Sequence, residues 1–166
     1  MQYNLSPETL VGVQPKNMGV ENYLNEKFNL QWARDKNVTV APNGSMYRRD
    51  KQGFLPELME KMYGDRVVFK KKTIEAKKEF QKTKDPIYKN EISRCNNIQM
   101  AKKIALNSAY GAIGNQYFRY FDVRIAEAIT LGGQLAIRWV ENDVNRFMNK
   151  LLNTDNINYV VPSDTD

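Results

Sequence analysis

Apolar residues recur at two different periods along this chain, and the change between them divides it. Up to about residue 50 the apolar positions come in short β-prone runs and loops. Asn37 to Val40 reads as a strand, Pro42-Asn43-Gly44 as a turn, and Ser45 to Arg48 as the returning strand of a hairpin. Ser6-Pro7-Glu8 reads as a cap followed by Pro at a first helical position. From Leu55 the spacing becomes helical, with Leu58, Met59, Met62 and Tyr63 on one side. This first helix runs toward Phe80, across Gly64, and ends near Asp85-Pro86. A second follows from about Ile87 to Gly111, so that two long helices joined by a short polar turn form an antiparallel hairpin. Gly111, Gly114 and Asn115 then break the pattern. A third helix spans about Val123 to Leu152, interrupted by Gly132-Gly133 for close backbone packing. Tyr159-Val160-Val161 reads as a last short strand. The expected fold class is α+β.

Composition narrows the chemistry. The 166 residues suffice for one compact domain or two small subdomains. There is no histidine, which excludes within this stretch a Ser-His-Asp or Cys-His mechanism, a zincin site or a histidine proton shuttle. Cys95 is the single cysteine and can form no internal disulfide; a reducing, cytoplasmic setting is expected. No apolar run is long enough for a membrane span. The net charge of +6 favours an anionic partner, nucleic acid being the commonest, although a basic protein without such a partner has the same balance.

Three groups of residues carry candidate chemistry. On a helix Lys103, Asn107, Tyr110 and Gly111 share one face, presenting a cation, an amide, an aromatic ring and a gap without a side chain. That set suits a nucleotide lying along the helix, with Ile104, Leu106 and Ile113 packing inward. On spacing alone an ordinary amphipathic helix explains it more simply. Arg66 and Lys70 lie one turn apart on the other arm. They could grip phosphate, but the many surrounding lysines equally suit a solvated basic face. Asp164-Thr165-Asp166 would place two carboxylates for divalent cations; Asp-x-Asp by itself more often marks a surface turn.

The stretch Lys103-Ile104-Ala105-Leu106-Asn107-Ser108-Ala109-Tyr110-Gly111 resembles the Lys-x-x-x-Asn-Ser-x-Tyr-Gly motif of family B DNA-directed DNA polymerases, with every defining position filled. Ala112 to Asn115 and Phe118 to Asp122 are similar to the T-even-like bacteriophage branch of that family. The resemblance implies a replicative enzyme carrying out template-directed, two-metal nucleotidyl transfer from dNTPs to a primer 3′-hydroxyl. Lys103 would contact the incoming triphosphate in a catalytic role, and Asn107, Tyr110 and Gly111 would line the nascent base-pair pocket. Counted from Pro56, the family's triphosphate-binding Arg and Lys fall on Arg66 and Lys70, with Val67 departing from the family's usual basic residue. Asp164-Thr165-Asp166 resembles the family's catalytic Asp-Thr-Asp, making Asp166 the principal and Asp164 the accessory metal and catalytic carboxylate; Pro162-Ser163 replaces the usual Tyr-Gly.

In subdomain terms the resemblance implies a helical hairpin, the fingers (55–116), inserted in a partial α/β palm made of 1–54 and of 117–166, the latter with the palm helix and catalytic strand. Residues 1–12 resemble the text that follows the family's second metal-holding Asp. The chain is therefore expected to be an internal excerpt, inactive alone, for which two Mg²⁺ ions lack one set of ligands. Implied partners are primer-template DNA, dNTPs and, for the full-length enzyme, a sliding clamp and replisome proteins in the host cytoplasm; no membrane is involved. The competing expectation from another class is a non-catalytic, basic helical-hairpin module that binds nucleic acid.

Overall fold

A computed structural model describes residues 2–14, 18–25, 27 and 29–160. Pro7–Thr9 form a single 3₁₀ turn, as the Ser-Pro-Glu signal predicts. Strands β1 (Leu10–Val13), β2 (Val38–Val40) and β3 (Ser45–Arg48) make an antiparallel sheet in the order β1-β3-β2. The predicted β2–β3 hairpin is present, with Val38 opposite Arg48 and Val40 opposite Met46. Its four-residue loop, residues 41–44, follows from local chemistry. Pro42 fixes the first turn dihedral, and Gly44 takes the left-handed conformation at φ 84°. Strand β1 was not anticipated. It pairs along the other side of β3 through a bulge between Leu10 and Gly12, too short and irregular for an alternation signal. Two five-residue helices, α1 (Val20–Leu24) and α2 (Gln31–Asp35), were likewise unforeseen.

The loop of the hairpin is fastened to the rest of the molecule by Asn43. Its Oδ1 accepts from the Ser45 N–H at 3.1 Å, and its Nδ2 donates to the Arg124 carbonyl at 2.8 Å. Asn43 is 7% exposed. Asn43→Ala would leave those buried groups unmatched. Urea unfolding is expected to show a loss of about 1–3 kcal/mol, and an unchanged midpoint would contradict this account.

Three long helices follow: α3 (Phe54–Thr83), α4 (Pro86–Ile113) and α5 (Val123–Leu152). Helix α3 starts at Gly53, a cap residue with no side chain, and the N-terminal segment supplies the missing acceptors. Asn4 Oδ1 accepts from Gly53 N–H at 2.8 Å, Glu8 Oε1 from Phe54 N–H at 2.6 Å, and Ser6 Oγ from Leu55 N–H at 3.5 Å. Asn4 Nδ2 also donates to the carbonyls of Arg48 and Lys51. Partial burial opposes ionisation of Glu8, but the Ser6 hydroxyl and the Phe54 N–H outweigh it and hold the carboxyl below its ordinary pKa.

The turn between α3 and α4 is made by Lys84, left-handed at φ 55°, and by Asp85, whose side chain accepts from the Ile87 N–H ahead of Pro86. Gly64 does not interrupt α3, and α4 runs past Gly111 to Ile113, with Gly114 as its C-cap. Asp122 caps α5 at the Arg124 N–H, and left-handed Asn153 ends it. Both ends of α5 therefore lie where the sequence predicts them.

One core joins these parts. Ala41, Tyr47, Leu55, Ile113, Ile125 and Ala128 are buried together, so the start of α3, the end of α4 and the start of α5 meet on β3. Burial pushes the Tyr47 hydroxyl pKa up to about 12. A second cluster, Met18, Ala33 and Val40, holds α2 against β2. Gly132 of α5 admits the Tyr3 ring, whose Cε2 would lie 3.3 Å from an added Cβ, whereas Gly133 faces open space. Beyond this base the apolar stripe of α5 is open, with Trp139 59% and Phe147 65% exposed.

The last described segment folds back along α5. Asn149 Oδ1 accepts from the Ile157 N–H at 3.1 Å and Asn145 Oδ1 from the Tyr159 N–H at 2.8 Å. Tyr159 and Val160 are consequently not in a strand: their described backbone donors go to asparagine side chains instead of to a neighbouring strand. Val161, the third residue of the expected strand, lies outside the described residues.

Candidate nucleotide-binding edge of the helical hairpin

The seam of the α3–α4 hairpin decides which residues can act together. Along α3 the covered positions include Met59, Met62, Arg66, Phe69, Thr73, Ala76 and Phe80; along α4 they include Tyr88, Ile92, Cys95, Gln99, Lys102, Leu106, Ala109 and Ile113. Both series alternate steps of three and four, the seven-residue repeat of a coiled coil. In such a repeat, positions equally far from the turn share one level of the seam, as Thr73 and Cys95 do, and Met62 and Leu106. The ion pair between Lys102 Nζ and Asp65 Oδ2, 2.8 Å long, fixes this register across the arms.

A seam so defined gives the hairpin two edges. Residues just after Met62, Phe69, Lys102 and Ala109 lie along one of them: Tyr63, Lys70, Lys103 and Tyr110. Asp65, just before Arg66, lies along the other. The seam thus brings Lys70 and Lys103, one from each arm, to the same edge. Arg66 sits between the edges, half-buried, and its Nε is buried with no hydrogen-bond partner. Such a donor is uncommon among buried polar groups.

On α4 the motif residues stand as helical spacing predicts. Lys103, Asn107, Tyr110 and Gly111 are exposed on one unbroken helix. A Cβ at Gly111 would meet nothing within 4 Å, so the gap opens on free space. Tyr110 borders a cleft of about 30 Å³ that it shares with Leu55, Met59 and Ile129 at the base of the hairpin. Leu106 and Ile113 pack inward as expected. Ile104 does not: it is 60% exposed, because it falls two residues past the seam position at Lys102 and faces outward.

Asp164 and Asp166 lie outside the described residues. Among the described residues no three His, Cys, Asp or Glu side chains are grouped to hold a metal ion. None of the described helices is long and apolar enough to cross a membrane. Sequence spacing missed the Asp65–Lys102 pair, although the seven-residue repeat that reveals the seam could have placed both.

The family model for DNA polymerase family B matches residues 1–166. The chain belongs to that family. It is 29% identical over 206 residues to the DNA-directed DNA polymerase of Enterobacteria phage T4, an alignment covering 99% of this chain and 22% of the relative. It is 28% identical over 210 residues to that of Escherichia phage RB69, with the same coverage. These two relatives bear out the T-even-like branch. The DNA polymerase delta catalytic subunit of Drosophila melanogaster is 27% identical over 168 residues, which cover 100% of this chain and 14% of that one. Among solved structures, the family B polymerase of the archaeon Pyrobaculum calidifontis aligns over 91% of this chain and 16% of its own, with a TM-score of 0.58 and 26% identity. That neighbour and the three-stranded sheet beside long helices agree with the α+β fold class. The chain spans about a fifth of the length of the phage relatives it matches.

Proposed function

We propose that this chain contributes the fingers and part of the palm to a replicative DNA-directed DNA polymerase, with residues 55–116 as the fingers and residues 1–54 and 117–166 as palm. The reaction is template-directed addition of a dNTP to a primer 3′-hydroxyl. The observation that carries the reading is the open edge of the hairpin: Lys103, Asn107, Tyr110 and the empty space at Gly111 follow one another on α4, and Lys70 joins them from α3.

Each residue has a chemical part to play. Lys103 and Lys70 place ammonium groups beside the triphosphate, lowering the cost of bringing its charge to the primer end. Arg66 offers a planar fork for phosphate oxygens. Tyr110 presents a flat wall to the new base pair, Asn107 an amide to its edge, and Gly111 the room for close approach. Divalent ions, generally used by family B polymerases, supply phosphate charge neutralisation and activation of the 3′-hydroxyl; the resemblance assigns their ligands here to Asp166 and Asp164. Closing of the hairpin over a matched nucleotide gives induced-fit selection. The full-length enzyme binds primer-template DNA, works with a clamp and replisome proteins, and acts in the host cytoplasm.

Lys70→Ala in the full-length polymerase tests the edge from the arm that lacks the nine-residue motif. Steady-state primer extension is expected to show a nucleotide KM raised about tenfold, the loss of one charge-assisted contact. A KM within error of the parent enzyme would remove Lys70 from the site.

A further inference from the structure

The seam of the hairpin contains an arrangement that packing alone does not call for. The seven-residue repeat sets Arg66 and Lys102, both half-buried, at one level of the seam, so it puts two cations between the arms. Their neighbours along the seam are Met62 with Leu106 on one side and Phe69 with Gln99 on the other. Like charges at one level of a seam repel, and each then looks for an anion. Lys102 finds one in Asp65, whose Oδ2 is 2.8 Å from its Nζ. The Lys102 side chain is 26% exposed, so most of it is committed to this direction. Arg66 finds none among the described residues for its Nε. Asp65 belongs to the edge opposite Lys70 and Lys103.

We infer that Asp65 is a positioning residue for the nucleotide site: it draws Lys102 to the far edge of the hairpin and leaves Arg66, between the edges, to act with Lys70 and Lys103 of the near edge. The inference rests on the reading of that near edge as triphosphate-binding. Lys102 and Lys103 are adjacent in sequence and chemically identical, and Asp65 is what separates them in function. One lysine is neutralised within the protein; the other keeps its charge for the ligand. The pairing also keeps a second cation from crowding the Arg66 guanidinium out of a single orientation. The hydrogen bond and charge of Lys102 hold the Asp65 carboxyl below its ordinary pKa, so this carboxylate stays ionised near neutral pH.

The test is a double-mutant cycle in the full-length polymerase: Asp65→Asn, Lys102→Gln, and both together, with Lys103→Ala in the same primer-extension assay. Asp65→Asn releases Lys102 beside Arg66. Lys102→Gln leaves the Asp65 carboxylate without its cation, one residue from Arg66, where it competes for the guanidinium. Each single change is expected to raise the nucleotide KM about fivefold while kcat stays within about twofold, and the double variant is expected to return close to the parent KM. A merely structural pair behaves differently: kcat and melting temperature fall together, and the double variant is no better than either single. That outcome, or singles with an unchanged KM, overturns the inference and leaves the reading of the near edge standing if Lys103→Ala still impairs nucleotide use. If Lys103→Ala has no effect, the reading itself fails and the inference with it.

Discussion

Lys103→Ala in the full-length polymerase is expected to lower kcat/KM for nucleotide addition by about 10²-fold or more, the size seen when one preorganised charge-stabilising group is removed from a reacting centre. The reason is positional. Lys103 is exposed on the same edge as Lys70, whereas its neighbour Lys102 is tied to Asp65 and cannot stand in for it. Part of the loss should appear in kcat, because phosphoryl transfer spreads charge over oxygens that a fixed cation meets better in the transition state than in the bound nucleotide. Lys103→Arg keeps the charge but places it on a longer, planar group, so it should recover only part of the rate. Single-nucleotide incorporation under single-turnover conditions separates the two contributions. If neither the maximal rate nor the nucleotide dependence changes, Lys103 has no role at the triphosphate and the edge described above is a solvated surface.

How much of this could be read beforehand depends on how local the cause is. The β2–β3 turn, the Asp85-Pro86 start of α4 and both ends of α5 each depend on residues within a few positions, and they stand where the sequence puts them. The motif face was legible for the same reason: helical spacing alone aligns Lys103 with Asn107 and Tyr110. What escaped was non-local. β1 exists because β3 offers it an edge. The Asn4–Glu8 segment caps a helix that begins more than 40 residues later. Ile104 looked like a core residue because it is apolar, but a two-helix seam needs only the positions at steps of three and four. The cross-arm pair of Asp65 and Lys102 needed the register of the hairpin, which no single helix contains. The tail beyond α5 misled in the opposite sense. Tyr159 and Val160 have the composition of a strand, yet their N–H groups go to the side chains of Asn145 in α5 and of Asn158.

Two glycine substitutions in α3 and its cap should have opposite signs, and together they test how the first arm is anchored. Gly53→Ala is expected to destabilise the fold by about 2–4 kcal/mol, from overpacking and the loss of cap contacts. A Cβ at Gly53 would lie 2.5 Å from the Ser6 Cβ and 3.1 Å from both Ser6 Oγ and Thr9 Cγ2. Ser6 and Thr9 are themselves buried and fixed by further hydrogen bonds, so they have nowhere to retreat. Moving them would pull Asn4, Ser6 and Glu8 away from the first three N–H groups of the arm, and those donors would go unmatched. Gly64→Ala makes the same chemical change one-third of the way along the same helix, where an added Cβ meets nothing within 4 Å. Only the backbone entropy term remains there, and stability should rise by about 0.5–1 kcal/mol. Urea unfolding of the two variants beside the parent chain measures both. Equal destabilisation at the two sites would mean that α3 tolerates no side chain at either position. A neutral Gly53→Ala would mean that the N-terminal segment is not what holds the arm in place.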